Sequence, residues 1–499
     1  MTPPTTTIAP RDLLDSMRGL YGEVVRDGQT IYARWTDHIT RRAMCLGAIN
    51  LANYLALRAH DLRALQPGLS HYGMSSLGRA EGRVLPNLEA VIAALEAITD
   101  VPAPERTPFP NTKRASRGAR LLRANTDQVF GATPAYRTVR IMVTYPSEAA
   151  SDYDFVRDLV ARGMNVARIN CAHDSAADWE AMIAFTQRAA RETGHAVRIH
   201  MDLGGPKVRT ADLLLDDKRA YVGDTLLLTR AVPRQRQDYP KQIRCTLPAV
   251  LDQVAVGEAV WIDDGLIGTV IVGMHADGAV LRVTHAEDEG VRLKEEKGLN
   301  FPDTDLHLSP LTDDDLSALD FIADHADSIG YSFVQDTADI DLLQGELAKR
   351  RDDWRRIALI AKIETRRAVR NLPDLIVRAG GVQPFGVMIA RGDLAVEVGY
   401  LRMAEIQEEI LWLCEAAHIP VIWATQVLES FVKRGTPSRG EMTDAAMGAR
   451  AECVMLNKGQ HVGEAVTILG DLLTRMQQHQ VKKTPQLRAL KQWQDVMGD

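Results

Sequence analysis

Two acids and an amine stand at the ends of neighbouring apolar runs. Lys362 lies at the end of IALIAKI (357–363) and Glu364 follows it, and Asp393 follows FGVMIA (385–390) within Ala390-Arg391-Gly392-Asp393. Lys362 and Glu364 are two residues apart, so on a strand both project to one side. Glu364 and Asp393 offer the one or two carboxylates that Mg²⁺ takes when water and substrate oxygens complete its shell. Either acid alone could instead cap a helix or pair with an arginine, and Lys362 alone could lie along a rim with its ammonium in water. Gly392 permits close backbone approach, and N–H groups there can hold an oxyanion or a carboxylate. Arg168 and Arg209 are candidate phosphate clamps, although single arginines commonly end in surface ion pairs. His173 could equally start a helix. A cationic, carboxylate-rich set of this kind suits a divalent metal and an anionic, phosphorylated substrate.

Such a set needs a frame that points several strand ends at one place. Eight short apolar runs supply it: TVRIMV (138–143), NVARI (165–169), AVRIHMD (196–202), SIGYSFV (328–334), the two named above, PVIWA (420–424) and CVMLN (453–457). Amphipathic stretches such as DYDFVRDLVARG and MAEIQEEILWLCEAA separate most of them. Apolar strands alternating with helices predict a parallel sheet buried on both faces, and eight repeats predict an α/β fold, the (β/α)8 TIM barrel. Active sites of that fold lie at the carboxyl ends of the strands. Those ends carry Thr144, Arg168, Asn170, Asp202, Lys362, Glu364, Arg391, Asp393, Thr425 and Asn457.

Other parts of the chain have a different texture. Residues 1–100 carry three amphipathic stretches with i, i+3, i+4, i+7 spacing, predicting an N-terminal helical domain. Residues 101–135, rich in proline and basic residues, read as a solvated linker. The barrel is predicted over 136–210 and 297–475, interrupted by a β-rich lid domain at 211–296 where polar and apolar residues alternate between DG and GD turns. A short polar tail, 476–499, is expected to follow.

Composition narrows the class. A charge of −7 argues against a nucleic-acid partner, and 45% hydrophobic with 25% charged residues excludes a largely disordered chain. No apolar run reaches the ~18 residues of a membrane span. The opening MTPPTTTIAPRDLLDSMRG lacks the features of a secretory leader, and Arg41-Arg42 stands too far inside to be a twin-arginine signal. Cys45, Cys171, Cys245, Cys414 and Cys453 are widely spaced, as free thiols of a reducing compartment are. The expectation is a cytoplasmic protein.

The joint set of segments resembles pyruvate kinase. It comprises KIE (362–364), ARGDL (390–394), ATQVLES (424–430), GGPKVRT (204–210) and ARINCAH (167–173), with IDDGLI (262–267) and KGLNFP (297–302) at the lid edges. The resemblance implies a glycolytic, ATP-binding transferase that passes a phosphoryl group from phosphoenolpyruvate to ADP, giving pyruvate and ATP. By motif, Glu364 and Asp393 would bind Mg²⁺, with Mn²⁺ an open alternative. Lys362 would stabilise the phosphoryl group in flight and the enolate, while Arg168 and Arg209 would neutralise phosphate. Backbone N–H groups of Gly392 and Asp393 would hold the substrate carboxylate, and Thr425 would assist protonation of the enolate. Pro146, Asn170 and His173, with Arg209, would line the nucleotide side, and the lid would close to exclude water.

Departures from the family pattern carry expectations of their own. Asn170 and Asp202 remain of the family's K⁺ ligands, but Ala172 stands for its serine and Lys207 for a glutamate, so an ammonium is expected to replace a required K⁺. Tyr145 puts a large side chain beside the nucleotide position, and Asn457-Lys458-Gly459-Gln460 replaces the usual Ser-Gly-Glu ending. Tyr331 and Gln335 replace an alanine and an arginine after the fourth run. The family's carboxyl-terminal domain has no counterpart, so regulation through it is not expected; a homo-oligomer is. A metal-dependent lyase or aldolase on enolpyruvate-type substrates, and a catalytically silent binding or regulatory protein, are the alternative readings.

Overall fold

A computed structural model describes residues 8–486. Eight parallel strands close into a barrel: β1 (Arg140–Thr144), β2 (Val166–Asn170), β3 (Arg198–Asp202), β4 (Ser328–Tyr331), β5 (Ala358–Ile363), β6 (Phe385–Ala390), β7 (Val421–Ala424) and β8 (Cys453–Leu456). The eight apolar runs coincide with these strands. The largest departure is in the fourth run, which leaves strand geometry after Tyr331 because Phe333 turns the backbone with φ +56°.

Alternation along the strands decides what fills the barrel. Met142, Val166, Ile360, Met388, Ile422 and Met455 form an apolar interior layer. Two residues further toward the carboxyl ends the same parity places Thr144, Arg168 and Lys362. Residues of opposite parity, such as Val143, Ile169, Ile199, Ile329 and Ile363, join the main core beneath the helices. The barrel is therefore apolar at its waist and polar at its upper mouth.

The segment 101–135 is a solvated linker only in its first half, and its second half departs from what its prolines and basic residues imply. Residues Arg117–Phe130 form a helix, and its last residues Val129 and Phe130 join the interior apolar cluster, each 1% exposed. The helix buries Gly118, Asn125, Thr126, Val129 and Phe130 and turns its arginines outward, a sparse apolar stripe easily mistaken for a loop. It plugs the amino-terminal mouth of the barrel.

The front of the chain is helical as expected. We label α1 (Pro10–Ala33), α2 (Arg42–Arg58), α3 (Val84–Ile98), α4 (Arg117–Phe130) and α5 (Tyr400–Ala417). Buried Leu13, Met17, Leu20 and Val24 give α1 a stripe at helical spacing. α2 docks directly on α5 of the barrel: a Cβ on Gly47 would stand 2.4 Å from the Ala417 carbonyl oxygen. Asn50 closes this junction. Its Nδ2 donates to the carbonyls of Glu81 (2.7 Å) and Ala416 (2.8 Å), and its Oδ1 accepts from the Val84 N–H (3.0 Å).

The insertion forms a seven-stranded sheet running from Thr210–Leu215 to Leu299–Asn300, slightly wider than 211–296, with its own apolar core around Leu226, Ile243, Val260 and Leu281. Its pairings are antiparallel except for Thr225–Thr229 beside Lys241–Cys245, which is parallel. Part of the expected tail is ordered too. Gln480–Val481 and Thr484–Pro485 pair as a hairpin whose Lys482 and Lys483 form ion pairs with Glu452 and Glu81. Residues 487–499 lie outside the described residues. Among the described residues no helix is long and apolar enough to cross a membrane, and the five cysteines are free.

Replacing Asn50 with alanine orphans three backbone groups at the α2–α5 junction. We expect Asn50→Ala to lower stability by about 2–4 kcal/mol, read as a lower thermal unfolding midpoint. Glu415, on α5 between the helical front and the hairpin, has its carboxyl pushed up to about 7 by burial, with Lys482 opposing and Glu81 and Glu452 adding. The unfolded chain releases that proton near pH ~4.3, so the folded chain holds it longer and stability falls as pH rises between the two values. Glu415→Gln should therefore raise the unfolding midpoint more at about pH 8 than at about pH 5.

Candidate active site

The polar mouth is built on β2, β3 and β5. Asp202 ends β3 and is 0% exposed. It accepts hydrogen bonds from Arg168, whose Nε is 2.8 Å away, and from His200 Nε2 at 2.9 Å, while the Lys362 ammonium stands at 3.6 Å. Burial opposes its charge, yet Arg168, Lys362 and His200 outweigh it and hold the Asp202 carboxyl well below the usual carboxylate range. His200 Nδ1 is 2.9 Å from Ser328 Oγ on β4, and Gly330 makes room: a Cβ there would fall 1.6 Å from Asp202 Oδ1.

Lys362 reaches from β5 into this group. Its Nζ is 2.6 Å from Ser332 Oγ and 3.2 Å from Glu364 Oε1. Burial disfavours the ammonium, but Asp202 and Glu364 more than compensate and raise its pKa above that of an ordinary lysine. Glu364 is 3% exposed and accepts the Phe333 N–H at 2.6 Å. Burial and the neighbouring Asp393 push its carboxyl up against the pull of Lys362. Asp393, in the first turn of the helix Arg391–Val398, is gripped by Lys207, whose Nζ is 2.9 and 3.1 Å from its two oxygens. Four residues on, Glu397 is raised to about 7 by burial and by Asp393.

Thr425 approaches from β7 on a strained turn, with positive φ at Thr425, Gln426 and Leu428. Arg391 braces it by donating to the carbonyls of Ala424 (2.8 Å) and Thr425 (2.7 Å) while pairing with Asp444. The Gly392 N–H, expected to hold a carboxylate, donates to Thr425 Oγ1 at 2.9 Å. On the other side of the mouth Arg168, Asn170, His173, Tyr145 and Asn457 line one recess of about 210 Å³. Pro146 is half-buried just beyond β1.

Several sequence expectations meet different geometry. Asn170 and Asp202 are register partners on β2 and β3, whereas Lys207 is not paired with either of them. Asp202 is bonded by Arg168 and His200, Asn170 Oδ1 accepts the Ala172 N–H at 3.2 Å, and the flexible stem of Lys207 carries its ammonium to Asp393. Arg209 is not brought into the cluster. It bridges to Gly298 at the lid base, and its guanidinium makes no hydrogen bond or ion pair among the described residues. Tyr145 borders the recess but does not fill it, because its odd position turns the hydroxyl outward to Thr186 at 2.8 Å, with the residue 4% exposed. Tyr331 is likewise turned into the core.

Sequence reasoning passed over His200, Ser328, Ser332 and Asp315. His200 was legible, since it shares the inward parity of Asp202. Ser332 donates to the Leu203 carbonyl at 2.8 Å, and Asp315 accepts the N–H groups of Gly204 and Gly205. Both contacts span more than 100 residues, so no local signal announces them. Among the described residues no three or more His, Cys, Asp or Glu side chains are grouped to hold a metal. Glu364 and Asp393 still fit Mg²⁺, because two mutually repelling carboxylates in one mouth supply the share of its shell that a protein commonly gives.

The comparisons with known proteins bear on the whole arrangement. Residues 136–466 match the family model described as pyruvate kinase, barrel domain. The pyruvate kinase of Geobacillus stearothermophilus is 32% identical over 349 residues, covering 68% of this chain and 57% of the relative. That of Mycobacterium intracellulare is 30% identical over 331 residues, covering 66% and 67%. The pyruvate kinase PKLR of Rattus norvegicus is 30% identical over 348 residues, covering 66% and 58%. The chain thus spans less than two thirds of the length of two of these relatives. The matched stretch contains β1 through β8 and most of the acids, amines and arginines described above, and the chain belongs to the pyruvate kinase family.

Proposed function

We propose that the chain transfers the phosphoryl group of phosphoenolpyruvate to ADP, giving pyruvate and ATP, with Mg²⁺ required and K⁺ not. The observation that carries this reading is the convergence of Lys362, Glu364 and Asp393 on one mouth, beside Arg168. In the reaction the bond from phosphorus to the enol oxygen breaks and a bond to a terminal ADP oxygen forms, leaving an enolate that takes up a proton at carbon. Mg²⁺ held by Glu364 and Asp393 would neutralise charge on substrate oxygens. Lys362, kept protonated by Asp202 and Glu364, would meet the charge that builds on the moving phosphoryl group and on the enolate oxygen. Arg168, fixed by Asp202, would hold phosphate, and Arg209 would join it from the lid side. Thr425, within reach of the Gly392 backbone, would organise the protonation step, and the Gly392 N–H would pass from Thr425 to the substrate carboxylate. ADP would lie toward the recess of Asn170 and His173, with the lid excluding water. Cytoplasmic location and a homo-oligomer complete the proposal.

The K⁺ independence rests on charge already in place. Asp202 has Arg168 and Lys362 as its cations, Ala172 offers no hydroxyl, and Lys207 contributes a fixed positive charge at Asp393.

Purified chain should form pyruvate from phosphoenolpyruvate, ADP and Mg²⁺. Absence of turnover, with nucleotide binding retained, would turn the reading to a silent binding protein. Adding K⁺ to a Na⁺-free assay should change kcat/KM by less than about tenfold, or about 1.4 kcal/mol of barrier. Lys362→Met should lower kcat by about 10²–10³ in protein that still elutes and folds as the parent does. His200 acts through Asp202, so His200→Ala should cut kcat by roughly tenfold, more than it changes KM for ADP. His200→Gln, which keeps a donor for Asp202, should recover much of the loss; equal kcat for the Ala and Gln variants would refute the positioning role.

A further inference from the structure

The opposite end of the barrel also carries a cavity, half open to solvent. α4, the loop carrying Arg79 and Arg83, and the hairpin at 480–485 surround a chamber of about 680 Å³. Its floor is Val139, Arg140, Ala451 and Glu452, at the amino-terminal ends of β1 and β8. The volume suits a small-molecule ligand, whose sites commonly span about 300–1,000 Å³. Most of its wall lies outside 136–466, the stretch matched by the family model.

Its lining has two characters. Ala119, Leu122, Val139 and Val481 provide an apolar surface. The charged lining is strongly cationic: Arg79, Arg83, Arg123, Arg140, Arg450 and Lys482 face only Glu415 and Glu452 as acids. Three of these cations have partners on the chain. Arg140 pairs with Asp127, Arg450 with Glu408 at 2.6 Å, and Lys482 with Glu452. Arg79, Arg83 and Arg123 are exposed, and their guanidiniums have no hydrogen bond or ion pair among the described residues.

Arg140 is only 2% exposed, and its Nε, like that of Arg450, is buried with no acceptor. A buried N–H without a partner is unfavourable, and native structures usually satisfy such groups. Both nitrogens lie too deep to meet a ligand, so the free donors that open on the chamber are the guanidiniums of Arg79, Arg83 and Arg123. Guanidinium groups match phosphate oxygens in planar, bidentate geometry.

We propose that this chamber binds a small organic phosphate whose body is apolar or carries a ring. Its phosphoryl oxygens meet the arginines, and its body lies on Ala119, Leu122 and Val139. The site is separate from the catalytic mouth, since the apolar barrel interior and Phe130 stand between them.

Titration calorimetry of the full chain with phenyl phosphate tests this. Saturable binding is expected, at least about tenfold weaker for the variant R79A/R83A/R123A, and weaker in the parent for inorganic phosphate, which lacks the body. Turnover and unfolding midpoint of that triple variant should match the parent, and Lys362→Met should bind phenyl phosphate normally. The proposal is overturned by the absence of saturable binding, by unchanged affinity in the triple variant, or by inorganic phosphate binding as tightly. Loss of binding in Lys362→Met would put the ligand in the catalytic mouth instead. Binding that gains about tenfold or more when the chain ends at Gln486 would show that residues 487–499 occupy the chamber, which also defeats the proposal.

Discussion

A carboxylate that never meets water organises the cationic half of the catalytic mouth. Asp202 is fully buried, and a lone charge there would be prohibitive. It is tolerable because Arg168 and His200 hydrogen-bond to it and Lys362 stands near it. The dependence runs both ways. Without Asp202, three cationic or proton-donating side chains would crowd the same interior space with no counter-charge. Gly330 leaves the volume that Asp202 needs, and Ser328 fixes the far nitrogen of His200. Arg168 and Lys362 therefore hold their directions before any substrate arrives, the condition under which fixed charges lower a barrier most.

The same cluster shows how far the sequence could be read. Strand existence, barrel closure and the polar upper ring followed from alternation, which is a local property and survives folding unchanged. Thr144, Arg168, Asp202 and Lys362 share an inward parity, and the fold could place them nowhere else. Tyr145 could have been assigned to the outer face by the same count, one residue past Thr144. Other features depended on distance in space rather than in sequence. Lys207 has a four-carbon stem, and only the packed structure decides whether its ammonium reaches Asp202 or Asp393. Ser332 and Asp315 act across turns that no local pattern encodes. The helix Arg117–Phe130 was hidden because its apolar stripe is thin and its neighbourhood is full of prolines and arginines.

That hidden helix changes the meaning of the chain's front. α1, α2 and α3 could have been a loosely tethered module, but the seating of Gly47 against Ala417 and the three bonds of Asn50 tie them to the barrel wall. α4 then inserts Phe130 beneath the barrel interior. A TIM barrel has two mouths, and chemistry is found at the upper one because loops there converge on the strand ends. Here the lower mouth is sealed by a segment that lies outside 136–466, the stretch the family model matches. Sealing makes that end available as an independent surface, since polar groups outside the plug no longer share space with the catalytic residues. An anion gathered at the lower end and an anion gathered at the upper end are divided by a layer of methionine, isoleucine and phenylalanine side chains, across which neither ion can pass. The two ends can therefore carry similar charge without competing for the same ligand, and any influence of one on the other has to travel through the strands they share.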